Sequence, residues 1–127
     1  MMASMDRTFL LLAAVLGFIG VALGAFGAHG LRGRLTPEML AVFETGVRYQ
    51  MYHVFALLVV ASAIGHLGSA RLLVLAGWSF FTGILLFSGS LYALAVTNTG
   101  ILGAITPIGG LAFLAGWACL ALFAAAH

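Results

Sequence analysis

Apolar residues do not alternate along this chain. They come in four long runs, Thr8–Ala28, Thr45–Ile64, Leu72–Val96 and Ile101–Ala125, separated by short stretches that hold nearly all the charge. A hydrocarbon core of ~30 Å takes about 20 helical residues to cross, and each run reaches that length. Lipid offers no partner for backbone N–H and C=O groups, so runs this long are expected to be helices rather than barrel strands. Four crossings put both termini on one side of the membrane, together with the short His66–Arg71 loop. The longer His29–Glu44 connection and the Thr97–Gly100 turn lie on the other side.

The second run has a preface. In "LTPEMLAVFETGV", Thr36 is placed to cap a helix, Pro37 to open its first turn and Glu38 to sit near its positive end. A helix from Pro37 to Ile64 would be ~42 Å long at 1.5 Å per residue, more than the core requires. The extension, residues 37–44, therefore either lies along the interface or continues straight out of the bilayer. The first run has a charged start and a small-residue end, like a signal peptide. It exceeds the ~7–15-residue core of such signals and is expected to be retained. The expectation is one all-α domain, residues 1–127: an integral membrane four-helix bundle with a short helical extension before the second span.

Composition fits that picture. Of 127 residues, 64% are hydrophobic and 6% charged, against about 25% charged in soluble domains. The net charge of +2 is small and scattered, which argues against nucleic acid as a partner. Cys119 is the single cysteine, so no internal disulfide or cysteine-rich metal motif is expected. Arg7 and Arg71 face Arg32, Arg34 and Arg48 across the membrane, too even a division for the positive-inside rule to set the orientation.

Lipid supplies no hydrophobic drive for helix pairing, so small residues that allow close approach are expected to do that work. Gly17, Gly20, Gly24 and Gly27 share one face of the first span, and Gly109, Ala112 and Gly116 form a second stripe in the fourth. These are the predicted packing residues, either within the bundle or between copies. "LAGW" occurs at 75–78 and 114–117. Neighbouring spans run antiparallel, so the repeat is expected to have no common structural role.

Polar side chains collect in the half of the membrane next to the 29–44 connection. His29 ends the first span, and Glu44, Arg48, Tyr49, Gln50, Tyr52 and His53 open the second. Ser88, Ser90 and Tyr92 close the third, and Asn98, Thr106 and Pro107 begin the fourth. The other half holds Ser62, Ser79, Thr82, Trp78 and Trp117. Glu44 and Arg48 stand four apart in the favourable order for a helical ion pair. Tyr49 and His53 stand four apart on another face, with His53 near the midplane. An ionisable residue at that depth marks a functional-site candidate. It equally serves as neutral glue, hydrogen-bonded to Tyr, Ser or Thr across the bundle. His29 between Gly27 and Gly30 reads as a helix end, and Thr106–Pro107 as a kink or local unwinding. The candidate polar cluster is His29, Glu44, Arg48, Tyr49, Tyr52, His53, Ser88, Ser90, Tyr92 and Thr106. No metal, cofactor or nucleophile–base arrangement is read from their spacing.

Four stretches carry a resemblance: "GAFGAHGL" (24–31), "LTPEMLAVFETGVRYQMYH" (35–53), "LFSGSLYAL" (86–94) and "LGAITPIGGLAFLAGW" (102–117). In this order they resemble the transmembrane protein 256 or YgdD-type family of small four-span membrane proteins. The resemblance implies fold and membrane location, and no catalytic residue.

Two functional classes follow. The first is a non-enzymatic accessory or packing protein of a bacterial cytoplasmic membrane, alone, as a homo-oligomer or attached to a larger membrane complex. The second is a carrier of a small solute or proton through the polar half, with His53, Glu44 and Arg48 at work. A water-accessible pocket reaching His53 would favour the carrier, and a polar half filled by its own side chains the accessory protein.

Overall fold

The computed structural model describes residues 4–127. Within them stand four helices long and apolar enough to cross a membrane: α1 (Met5–Leu31), α2 (Pro37–Leu67), α3 (Arg71–Thr97) and α4 (Gly100–Ala126). They pack in chain order, α1 on α2, α2 on α3 and α3 on α4, so that α2 and α3 form the centre and α1 and α4 the flanks.

α2 begins as the sequence predicts. Thr36 is in extended backbone, its hydroxyl accepts a hydrogen bond from the Met39 N–H at 3.1 Å, and Pro37 follows in the first turn. The extension neither bends away nor lies apart, for residues 37–67 are one helix. Phe43 holds it in line. Its ring is buried between Gly27 of α1 and Tyr92 of α3, 5.2 Å from the tyrosine ring centre. Gly68 ends α2 at φ 94°, a left-handed conformation that glycine adopts freely. Asn98 ends α3 at φ 54° and ψ 30°, in the left-handed helical region.

His29 stands in the last turn of α1, which closes at Leu31, and its carbonyl accepts the Arg32 N–H beyond that end. Near Thr106–Pro107 the departure from α geometry lies just ahead of the pair. A 3₁₀ segment (Gly100–Ala104) leads into regular helix from Thr106, with Pro107 in the first turn, where its missing N–H costs nothing. Two further departures from α geometry are π-turns at Leu23–Gly27 and Ile84–Ser88.

The glycine stripes face inward. Side chains placed on Gly17, Gly20, Gly24 and Gly27 would meet Val54, Met51, Val47 and Phe43 of α2 respectively. A side chain on Gly109 would run into the backbone of Phe87, and one on Gly116 into the ring of Phe80, both of α3. Between α3 and α4 this packing is reciprocal. Phe80 of α3 lies on Gly116 of α4, and Phe113 of α4 lies on Gly83 of α3.

The "LAGW" repeat does have a common role. In each copy the glycine receives a phenylalanine ring from a neighbouring helix, and the tryptophan meets that ring edge-on. Phe9 lies on Gly77 with Trp78 at 5.1 Å and 70°. Phe80 lies on Gly116 with Trp117 at 5.0 Å and 64°. Chain direction does not matter to such a socket, because it needs only a bare backbone and one flanking ring.

Candidate functional site

The buried face of α2 follows a three-four spacing: Phe43, Gly46, Gln50, His53, Leu57, Val60 and Ile64. Two of these seven are polar, and each is met by a polar group from another helix. Gln50, 2% exposed, joins three helices. Its side-chain N–H donates to the Leu16 carbonyl of α1 at 2.7 Å, and its oxygen accepts from the Tyr92 hydroxyl of α3 at 2.6 Å. Gly20 makes room for this, since a Cβ there would stand 3.2 Å from the Gln50 nitrogen. Gly46 does the same for the ring of Tyr92, at 2.7 Å.

Ser88 and Ser90 fix the end of α3. Ser88, at the close of its π-turn and wholly buried, donates to the Gly46 carbonyl at 2.6 Å. Ser90 donates to the Phe87 carbonyl of its own helix at 2.9 Å. With that proton engaged, the 2.6 Å contact between Ser90 and Thr106 has the threonine hydroxyl as donor, tying α4 to α3.

His53 is 5% exposed and stacks on Phe113 of α4, ring centres 3.5 Å apart and planes 6° from parallel. The Trp117 indole N–H, a donor only, points at His53 Nε2 from 3.1 Å. Nε2 is therefore the acceptor. The proton resides on Nδ1, which donates to the Tyr49 carbonyl at 2.7 Å. Both nitrogens are engaged by the neutral ring, and a second proton would meet the Trp117 N–H head-on. A cleft of ≈ 440 Å³ beside this contact lies between α2 and α4, flanked by Tyr49, Tyr52, Phe87 and Leu114. Tyr52, Leu114 and Trp117 are about half exposed on its rim, so it opens sideways from the bundle.

The predicted cluster thus divides. Tyr92, Ser88, Ser90, Thr106 and His53 are each hydrogen-bonded inside the bundle, with only Ser90 and Thr106 bonded to each other, and Tyr49 and Tyr52 line the cleft beside His53. His29, Glu44 and Arg48 are exposed and stand apart. Among the described residues no ion pair within 4.0 Å joins Glu44 to Arg48, so that expectation is corrected. Their side chains point out of the bundle, where nothing holds two long side chains in register.

Sequence reasoning missed two members. Gln50 was legible as a polar residue three positions before His53 on a three-four seam. Trp117 falls in the opposite half when residues are counted along its span, yet its indole N–H reaches His53.

A sequence profile described as "Protein of unknown function (DUF423)" matches residues 23–110. The chain belongs to this family. It is 50% identical to the UPF0382 membrane protein YwdK of Bacillus subtilis over 111 residues, covering 87% of this chain and 90% of the relative. A UPF0382 membrane protein of Haemophilus influenzae is also 50% identical, over 118 residues, with 92% and 93% covered. One from Staphylococcus haemolyticus is 47% identical over 114 residues, with 90% and 92% covered. No solved structure matches the chain. With relatives that carry the name membrane protein and four helices long and apolar enough to span, the chain is a DUF423 membrane protein. The matched segment takes in the π-turn of α1, all of α2 and α3, and the start of α4. It therefore contains Gln50, His53, Ser88, Ser90, Tyr92 and Thr106, but not Phe113 or Trp117.

Proposed function

We propose that this DUF423 protein is a non-enzymatic accessory or packing protein of a bacterial cytoplasmic membrane, attached there to other membrane proteins. The observation that carries the reading is the state of its buried polar groups. Among the described residues, every buried side-chain nitrogen and oxygen has a hydrogen-bond partner within the chain. A carrier needs polar groups that exchange partners with a solute or with water. Here Gln50, Ser88, Ser90, Tyr92 and His53 are each engaged in holding one helix to another or to its own turn. The cleft next to His53 opens towards lipid rather than along the bundle axis. The transmembrane protein 256 and YgdD-type proteins fall, in this reading, in the same group, because the four quoted motifs span the segment matched by the family profile.

Gentle-detergent purification of the tagged chain from its own host, with the mass and composition of the complex determined, tests the proposal. Stoichiometric unrelated membrane proteins are the expected result. A chain that purifies alone, and that carries a proton flux in liposomes abolished by His53→Ala, would overturn it.

A further inference from the structure

The cross-links above leave out a second polar site, at the end of the bundle that holds the termini. There the first turn of α1 meets the last turns of α2 and encloses a cleft of ≈ 320 Å³. Asp6, Arg7, Ser62 and His66 line it above an apolar floor that includes Leu10 and Leu58. Asp6 turns inward: its Oδ2 lies so near α2 that a Cβ on Gly65 would stand 3.3 Å away. Its Oδ1 accepts the backbone N–H of Arg7 at 2.8 Å. Among the described residues no cation lies within ion-pair distance of this carboxylate. His66 donates from Nδ1 to the Ser62 carbonyl at 2.9 Å, which turns Nε2 to other partners.

The cleft therefore sets an acid beside a base at one mouth, not matched to each other, over a greasy floor. At the edge of a bilayer, the molecules with that pattern are the zwitterionic lipids. We propose that this cleft binds one phospholipid with a primary-ammonium headgroup, of the phosphatidylethanolamine type. The ammonium donates to the Asp6 carboxylate, the Arg7 guanidinium takes the phosphate, and an acyl chain lies over Leu10 and Leu58. A primary ammonium fits better than a choline group. Asp6 sits close against backbone and accepts N–H donors, which a quaternary ammonium lacks. A headgroup without a cation leaves Asp6 facing a phosphate.

The site is read by native mass spectrometry of the full chain released from nanodiscs holding equal parts phosphatidylethanolamine, phosphatidylglycerol and phosphatidylcholine. One phosphatidylethanolamine per chain is expected to be retained, roughly tenfold over either competitor, the scale of one charge-assisted hydrogen bond. Asp6→Asn is expected to erase that preference, and Arg7→Gln to weaken retention of all three lipids. Glu44→Gln, at the far end of the bundle, is expected to change nothing. The unmutated chain supplies an independent reading, because stepwise N-methylation of the headgroup removes donors one at a time and is expected to lower retention in step. Equal retention of phosphatidylglycerol by the unmutated chain, or indifference to N-methylation, would overturn the proposal. So would an Asp6→Asn chain that keeps its preference.

Discussion

Between α3 and α4 the contact is made by rings in glycine sockets: Phe80 on Gly116, Phe113 on Gly83, and the Phe87 backbone against Gly109. Between α2 and its neighbours α1 and α3 glycine contacts are joined by buried hydrogen bonds, from Gln50 to the Leu16 carbonyl, from Tyr92 to Gln50 and from Ser88 to the Gly46 carbonyl. Both interfaces face the same difficulty, that burying apolar surface against protein gains little when lipid is the alternative. The first answers with dispersion, by bringing backbones and rings closer than any Cβ would allow. The second answers with polar groups that would otherwise be unsatisfied in hydrocarbon. The ring seam has no tolerance for added volume, and the polar seam has none for a lost partner. His53 is where the two meet, stacked on a ring of α4 while hydrogen-bonded at both nitrogens.

The largest effect is expected at Gly109. Its added Cβ would strike backbone, which cannot rotate aside, so Gly109→Ala forces α3 and α4 apart. A loss of about 2–3 kcal/mol is expected, the upper range for overpacking. Gly116→Ala meets a ring that can tilt, and is expected to cost about 1–2 kcal/mol on the same scale. The single cysteine, part-buried in α4, provides the readout, since a thiol-reactive dye follows its exposure on heating in detergent. Equal melting temperatures for the two variants would show that backbone contact is not what separates them.

Next comes the polar seam. Gln50→Leu keeps the volume and removes both hydrogen bonds, leaving the Tyr92 hydroxyl in an apolar setting. A loss of about 1–2 kcal/mol is expected, near the upper end measured for such bonds in membranes. Adding Tyr92→Phe removes the orphaned hydroxyl and is expected to recover part of the loss. A double variant less stable than Gln50→Leu alone would show that the two side chains do not form one link.

Much of this was legible in the sequence, and the illegible part has physical causes. Span number, the Thr36 start of α2, the extension and the polar half all follow from run length, capping chemistry and depth. The α2 seam did not follow. Pairing residues four apart picked out Glu44–Arg48 and Tyr49–His53, whereas the packed face steps by three and four through Gln50 and His53. The π-turns at Leu23–Gly27 and Ile84–Ser88 left no signal, because one extra residue per turn only shifts the phase of an already apolar run. The sockets hid because a glycine records where a ring fits without naming the ring.

A smaller effect is expected at the meeting point. Trp117→Phe keeps a ring against Phe80 and removes the donor to His53 Nε2. It is expected to lower stability by about 0.5–1 kcal/mol, the usual range for an interhelical hydrogen bond in lipid. Nitrogen NMR of the histidine ring is the sharper test. The unmutated chain is expected to show a protonated Nδ1 and a hydrogen-bonded Nε2, and the variant to lose the second feature alone. A ring protonated at Nε2 in the unmutated chain would contradict the Trp117 contact.

The smallest effect belongs to Glu44 and Arg48, the pair that the spacing favoured most. Both side chains are exposed near the outer end of α2, away from either seam. An ion pair in water gains little Coulomb energy and loses side-chain freedom, so even a formed pair there contributes less than about 1 kcal/mol. Glu44→Gln is therefore expected to shift stability by no more than ~0.5 kcal/mol, and adding Arg48→Met is expected to do no more. A clear loss from the single change, recovered by the double, would mean that the two groups pair in the bilayer. The contrast between interfaces would then gain a third kind of contact, at the headgroup level. Without that recovery, the bundle is held by its two inner seams alone, and the charges at the top of α2 remain available to whatever stands beside it in the membrane.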